Sequence, residues 1–157
     1  MNVLVVYETK FGNTKEAAEK IAEGMKEVEQ IKTEVINVNE VDYSKVQDFD
    51  AIIIGSPTWA GNCTDTIKNF INELAGLSLK EKYYAVFDTN NNIPLLSKAV
   101  KKMEKRIGKL IPDLKRILPG LPIRVKGKEG PIIEGELPKC QNFGKEIALN
   151  LQKHSNF

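Results

Sequence analysis

Apolar and polar residues follow two rhythms along the chain. Val3-Leu4-Val5-Val6-Tyr7 and Ala51-Ile52-Ile53-Ile54-Gly55 are unbroken, mostly β-branched apolar runs. Such runs suit strands buried on both faces, as in a parallel sheet. Glu34-Val35-Ile36-Asn37-Val38 alternates and predicts a strand, and Tyr83-Tyr84-Ala85-Val86-Phe87 predicts another. Between the strands the apolar spacing changes to three and four, the period of a helix with one buried face. It predicts helices from Asn13 to about Val28, from Thr64 to Ala75 with Gly76 as C-terminal cap, and from Leu95 to Ile111, where Pro112 stops it. A last helix is predicted from Leu137 to Lys153 with Pro138 in its first turn, and a short one near Tyr43–Val46. Lys115 to Leu118 and Ile123 to Lys126 read as one strand interrupted around Pro119-Gly120-Leu121-Pro122.

The order β-α-β-β-α-β-α-β-α predicts an α/β fold, a three-layer sandwich with a doubly wound five-stranded parallel sheet and helices on both faces. At 157 residues, without repeats, low-complexity segments or a linker, one domain over residues 1–157 is expected. Ligands of such sheets bind beyond the carboxyl ends of the strands. The loops to inspect therefore follow strands one, three and four.

The first loop reads Thr9-Lys10-Phe11-Gly12-Asn13-Thr14. Hydroxyls, an amide and the N–H groups of the following helix could hold an anion such as a phosphate. The competing reading is a capped helix, with Asn13 or Thr14 as N-cap. The second loop, Ser56-Pro57-Thr58-Trp59-Ala60-Gly61-Asn62, holds the chain's one tryptophan, a flat plate suited to stacking on a ring or to covering a groove. The third, Asp88-Thr89-Asn90-Asn91-Asn92-Ile93-Pro94, offers amides and one acid. Together the first two loops describe a ligand with a phosphate at one end and an aromatic ring at the other.

Other chemistries are excluded. There is no G-x-x-x-x-G-K-[ST] and no G-x-G-x-x-G. No cysteine lies in the phosphate-type loop, and Thr9 and Ser56 stand near the places where a receiver domain needs acids. The single histidine, His154, sits near the end, so a triad is hard to build. Cys63 and Cys140 are too few for a disulfide framework or an all-cysteine zinc site, and no metal site is expected. Cys63 stands at a helix start, where the dipole could lower its pKa, but an inert, partly buried thiol is the preferred reading. A composition of 41% hydrophobic and 28% charged residues argues against disorder. No apolar run is long enough to cross a membrane, and the opening residues do not resemble a signal peptide. A cytoplasmic, soluble protein is expected, with no membrane and no nucleic-acid partner.

The Thr9–Thr14 segment, the Ser56–Asn62 loop and the strand–helix alternation resemble the flavodoxin family over essentially the whole chain. The stretch from Val125 to Pro131, followed by Gly135-Glu136-Leu137, is similar to the closing part of short, archaeal-type flavodoxin-like proteins. The resemblance implies strand order 2-1-3-4-5 with FMN at the switch between strands one and three. It assigns Thr9, Lys10, Phe11, Gly12, Asn13 and Thr14 to the FMN phosphate, and Ser56, Pro57 and Thr58 to the ribityl chain and ring. Trp59 would lie against one ring face, and Ala60-Gly61-Asn62 would run beside N5, where Gly61 eases a peptide flip. Asp88, Thr89, Asn90 and Asn91 would supply the pyrimidine edge. The third loop departs from the family pattern: it has no tyrosine to stack on the second ring face. The function implied is a soluble FMN electron carrier between redox enzymes, monomeric or weakly dimeric, with a reductase or oxidoreductase as partner. The alternative is an FMN-dependent NAD(P)H:quinone-type oxidoreductase on the same fold.

Charge sharpens the question of partners. The net charge is only +2, yet residues 1–96 hold 9 basic and 15 acidic side chains, and residues 97–157 hold 14 basic and 6 acidic. The third long helix carries Lys98, Lys101, Lys102, Lys105, Arg106 and Lys109 against Glu104. That run reads as a solvated face or as a docking patch for an acidic redox partner.

Overall fold

A computed structural model describes residues 1–91 and 99–155. Its strands are β1 (Asn2–Tyr7), β2 (Lys32–Asn37), β3 (Ala51–Pro57), β4 (Tyr83–Asn90), β5 (Lys115–Arg116) and β6 (Leu121–Arg124). Its helices are α1 (Asn13–Lys26), α2 (Tyr43–Val46), α3 (Asp65–Leu74), α4 (Ala99–Leu110) and α5 (Glu136–Ser155), with a single 3-10 turn over Val38–Glu40. The expected start of the third long helix at Leu95, with Leu96 and Lys98, lies outside the described residues, as do Asn92, Ile93 and Pro94 of the third loop.

The strands form one parallel sheet in the order β2-β1-β3-β4-β5, with β6 also on β4. This is the doubly wound order that the resemblance implies. The two central apolar runs are buried on both faces. Val3 and Val5 pack with α1 and α5, whereas Leu4 and Val6 pack with α3 and α4. The interrupted strand is real: β5 pairs with Tyr83–Tyr84, and β6 with Phe87–Asn90. Pro119 has no N–H to carry a ladder across the gap. At Gly120 a Cβ would come within 2.4 Å of Val100 and 2.8 Å of Val86, so the chain can pass close to the core only without a side chain.

Helices α1 and α5 touch backbone to backbone. A Cβ on Gly24 would lie 1.8 Å from the Gln141 carbonyl oxygen, and one on Gly144 would lie 1.9 Å from that of Ile21. Each helix thus gives up helix propensity to bring the pair into contact.

Several strand boundaries correct the sequence reading, among them that of β6, which begins at Leu121 rather than Ile123. β3 continues through Ser56 and Pro57, and β4 through Asp88, Thr89 and Asn90. Ser56 pairs with Asp88 and Pro57 with Thr89. Polar residues there look like loop in sequence, but each strand supplies the other's backbone partners and the ladder runs on. β2 is shifted two residues earlier at its start than expected, and Val38 opens the 3-10 turn instead.

Candidate functional site

The carboxyl ends of β1, β3 and β4 surround a cavity of about 310 Å³. Its first wall is the start of α1. Gly12 is the N-cap, left-handed with φ 93°, and no side chain caps the helix. Asn13 and Thr14 are the first residues inside the helix, so the capping reading fails for both. Their side chains are used elsewhere. The Asn13 amide donates to the Glu129 carbonyl at 3.0 Å, and the Thr14 hydroxyl meets that of Thr89 at 2.8 Å in the interior. The Gly12 N–H donates to the Thr9 hydroxyl oxygen at 2.9 Å. What remains at this helix end, among the described residues, is a positive dipole terminus with no side-chain cap on it; the acid of its first turn, Glu16, sits one turn in and does not line the cavity.

The second wall is a hairpin. Trp59 and Asn62 exchange backbone hydrogen bonds of 2.9 and 3.0 Å around Ala60 and Gly61. Both central residues have positive φ, 49° and 76°, the signature of a type I′ turn. Gly61 adopts this without strain, but Ala60 gives up roughly 1 kcal/mol or more to hold it. The turn lifts Trp59 out of the sheet, leaving it 49% exposed. The Lys10 ammonium lies over the indole at 4.6 Å and over Phe11 at 5.6 Å. Lys10 therefore rests on the aromatic plates, in cation–π contact.

The third wall is the end of β4, where Thr89, Asn90 and Asn91 line the cavity. Asp88 does not. It is fully buried, accepting from the Asn90 amide at 2.7 Å and the Val100 N–H at 3.3 Å. Burial pushes its carboxyl above the usual range, and those hydrogen bonds only partly restrain the shift. Its place is under the rim, where it orients Asn90.

Of the residues expected at the site, Thr9, Lys10, Phe11, Asn13, Thr14, Pro57, Thr58, Trp59, Ala60, Thr89, Asn90 and Asn91 line this cavity. Gly12, Ser56, Gly61, Asn62 and Asp88 do not. Gly12 and Gly61 shape the turns behind it. Ser56 is buried, donating to the Pro57 carbonyl at 2.8 Å and accepting from the Thr64 N–H at 3.1 Å, so its hydroxyl is spent on the backbone. Asn62 accepts from the Cys63 N–H at 2.8 Å and faces a neighbouring cleft.

Sequence reasoning missed the roof. Val125, Gly127 and Lys128 complete the cavity lining. They belong to a loop that leaves β6, turns, and returns through a bridge between Val125 and Ile132. The Lys126 N–H donates to the Pro131 carbonyl at 2.8 Å, and the Gly130 N–H to the Lys126 carbonyl at 3.0 Å. Gly130 lies flat against Asn13, where a Cβ would come within 2.5 Å. The loop is anchored by Glu136, buried at the start of α5, which pairs with Arg124 and Lys139 at 2.9 Å each. Burial pushes the Glu136 carboxyl up, but the Arg124 side chain and N–H and the Lys139 ammonium outweigh it and hold the pKa at about 2. The cluster Gly127-Lys128-Glu129-Gly130-Pro131 was the available signal: a turn-rich segment with a cation, read as a family likeness but not as a wall.

The lining as a whole has two cations, Lys10 and Lys128, and no carboxylate among the described residues. With an open helix terminus on one side and an exposed indole on the other, it suits an anionic ligand that carries a flat ring. The two thiols do not contribute. Both are free and buried; burial pushes Cys63 upward and Cys140 up to about 12, so neither is an activated nucleophile.

Fold and site define a doubly wound α/β protein with a cavity at the switch between β1 and β3, the place where ligands of such sheets bind. The family model described as Flavodoxin domain matches residues 4–121, and the chain belongs to the flavodoxin family, a family of flavoproteins. A flavodoxin from Clostridium saccharobutylicum is 33% identical over 93 residues, which span 59% of this chain and 58% of that relative's length. A solved flavodoxin from the domain Archaea superposes with a TM-score of 0.82 at 23% identity, covering 97% of this chain and 99% of its own. Oxidised flavodoxin 1 from Bacillus cereus superposes with a TM-score of 0.78 at 25% identity, covering 95% and 98%. Among the described residues no helix is long and apolar enough to cross a membrane.

Proposed function

We propose that this protein binds FMN in the cavity between α1, the Trp59 hairpin and the Val125–Lys128 roof, and carries electrons between redox enzymes. The observation that carries the reading is the pairing of an uncapped helix terminus with an exposed indole, inside a lining that among the described residues holds no carboxylate. The N–H groups at the start of α1, with Lys128 nearby, suit the phosphate, and Asn13 ties the roof loop over them. Trp59 suits one face of the ring, and Asn91 offers an amide toward its polar edge, with Asn90 lining the same wall. FMN supplies the one- and two-electron chemistry when bound; the chain's residues bind, orient and shield it, and no side chain acts as acid or base. Free buried thiols fit a reducing compartment such as the cytoplasm.

The test is reconstitution. Purified protein should retain FMN through gel filtration, with a perturbed visible spectrum and quenched flavin fluorescence; failure to retain it overturns the reading. One observation favours a second reading, an FMN-dependent NAD(P)H:quinone oxidoreductase. Among the described residues the β4 edge of the cavity offers Thr89, Asn90 and Asn91 and no aromatic ring to cover a second flavin face. Rapid quinone reduction by NAD(P)H and holoprotein, with no other protein present, would select that reading over a pure carrier.

A further inference from the structure

A second concavity, of about 330 Å³, opens between α3 and α4. Five cations line it: Lys68 from α3 and Lys102, Lys105, Arg106 and Lys109 from α4. Among the described residues only Lys68 has an acidic partner, Asp65 at 3.4 Å on the surface. Glu104, the one acid of α4, is turned to Arg116 at 2.8 Å and to the Gly120 N–H at 3.3 Å, and does not line the cleft. The Arg106 guanidinium is fixed across the two helices by its bond to Asn72 at 2.7 Å. Like charges held this close repel one another, and an occupant of opposite charge relieves the repulsion.

We propose that this cleft docks the acidic surface of a one-electron carrier protein that exchanges electrons with the flavin. The inference rests on the carrier reading above and names its partner by charge. Three features select a protein over a nucleotide or nucleic acid. Leu110 lies exposed in the lining beside aliphatic lysine stems, the mixed apolar and charged character of a protein interface. Among the described residues no aromatic lines the cleft to stack a base. The nearby start of α3 is closed by Thr64, whose hydroxyl accepts from the Ile67 N–H, so that terminus is not open to a phosphate. Position supplies the fourth argument. Asn62 lines the cleft, and it closes the hairpin whose Trp59 and Ala60 line the flavin cavity. A protein seated there abuts the hairpin directly. One electron leaves the partner's metal centre as one reaches the flavin, and no bond or proton has to cross at the cleft.

The probe is an acidic [2Fe–2S] ferredoxin, and the variant is Lys102→Glu/Lys105→Glu/Lys109→Glu. Calorimetry at low salt should show ferredoxin binding to the wild type that weakens about tenfold or more at 0.3 M salt, and that falls about thirtyfold in the variant. In stopped flow, flavin reduction by reduced ferredoxin should slow about tenfold in the variant at low salt, and the two proteins should converge at high salt. FMN affinity should be unchanged. Equal rates and equal binding in both proteins would overturn the proposal. So would a single-stranded 12-mer DNA that competes ferredoxin off at equal concentration and loses binding in the same variant, which would assign the cleft to nucleic acid. If the triple variant does not fold, Lys105→Gln/Lys109→Gln gives the same comparison with a smaller expected loss. Calorimetry on the flavin-free chain separates the two hypotheses: ferredoxin binding without FMN retention sinks the carrier reading and the electron exchange while the docking surface stands, and FMN retention without ferredoxin binding sinks the docking surface alone.

Discussion

Two helices start side by side at the carboxyl edge of this sheet, and they start differently. α3 begins in the ordinary way: Thr64 caps it, accepting from the Ile67 N–H, and its hydroxyl also meets the Glu8 carboxylate. α1 begins on a left-handed glycine, with no side chain returned to its free N–H groups. The nearby hydroxyl and amide that could have served, Thr14 and Asn13, are bound to Thr89 and to the roof loop instead. The proposed ligand site rests on a withheld cap, and the same sheet edge shows what the closed form looks like. A third start, that of α5, carries a buried carboxylate that serves a neighbouring strand: Glu136 accepts the Arg124 N–H and pairs with the Arg124 and Lys139 cations.

Closing the open start should have the largest effect. Gly12→Asp adds a negative charge where the phosphate is expected; FMN affinity should fall about a hundredfold, near 2.7 kcal/mol, by isothermal titration. Riboflavin, which lacks the phosphate, should lose much less. Equal losses for the two ligands would mean that α1 is not the phosphate end.

The third start predicts a pH dependence. Glu136 is held at about 2, below its ordinary 4.5, so its stabilisation is complete above pH 4.5 and is lost as pH falls toward 2. Glu136→Gln should destabilise the protein by about 2 kcal/mol at neutral pH, a figure reduced because Arg124 and Lys139 are themselves exposed. Urea melts at pH 7 and pH 3 should show the variant's deficit shrinking on acidification. A deficit independent of pH would place the effect in packing rather than charge.

Removing the plate opposite the open start should matter somewhat less. Trp59→Ala should weaken FMN binding about tenfold, near 1.4 kcal/mol, and shift the flavin absorption bands. An unaltered spectrum would remove the indole from the ring site.

The smallest effect belongs to the closed start. Thr64→Ala should cost about 1 kcal/mol of stability in urea while leaving FMN affinity within about twofold. A large loss of FMN binding instead would mean that the two helix starts are not independent.

Much of this molecule is legible in its amino-acid sequence. The central strands announce themselves in Val3–Tyr7 and Ala51–Gly55, because burial on both faces leaves no room for polar residues. The helices announce themselves by the three-and-four spacing of Ile67, Phe70, Ile71 and Leu74, all of them in the core. Trp59 and the Thr9–Thr14 loop stand out because their residue types are unusual where they occur. Less legible are Ser56 and Asp88, whose polar side chains suggest ligand contacts but serve the backbone and a neighbouring amide. Gly24 and Gly144 look like weak points in two helices and turn out to be their contact.

The chain by itself determined the alternation of strands and helices, the apolar identity of each layer, and the unequal division of charge between its two parts. These follow from periodicity and composition, which act over one turn of helix or one face of strand. Only the tertiary structure decided that Lys128 comes over the start of α1, more than a hundred residues away in sequence. Only it decided that α1 is left open while α3 is closed, and that the lysines of α4 face Lys68 across a shared cleft. Each of these depends on which partner a side chain finds across the fold. A residue's type limits the bonds it can make, but the packing of distant elements chooses among them.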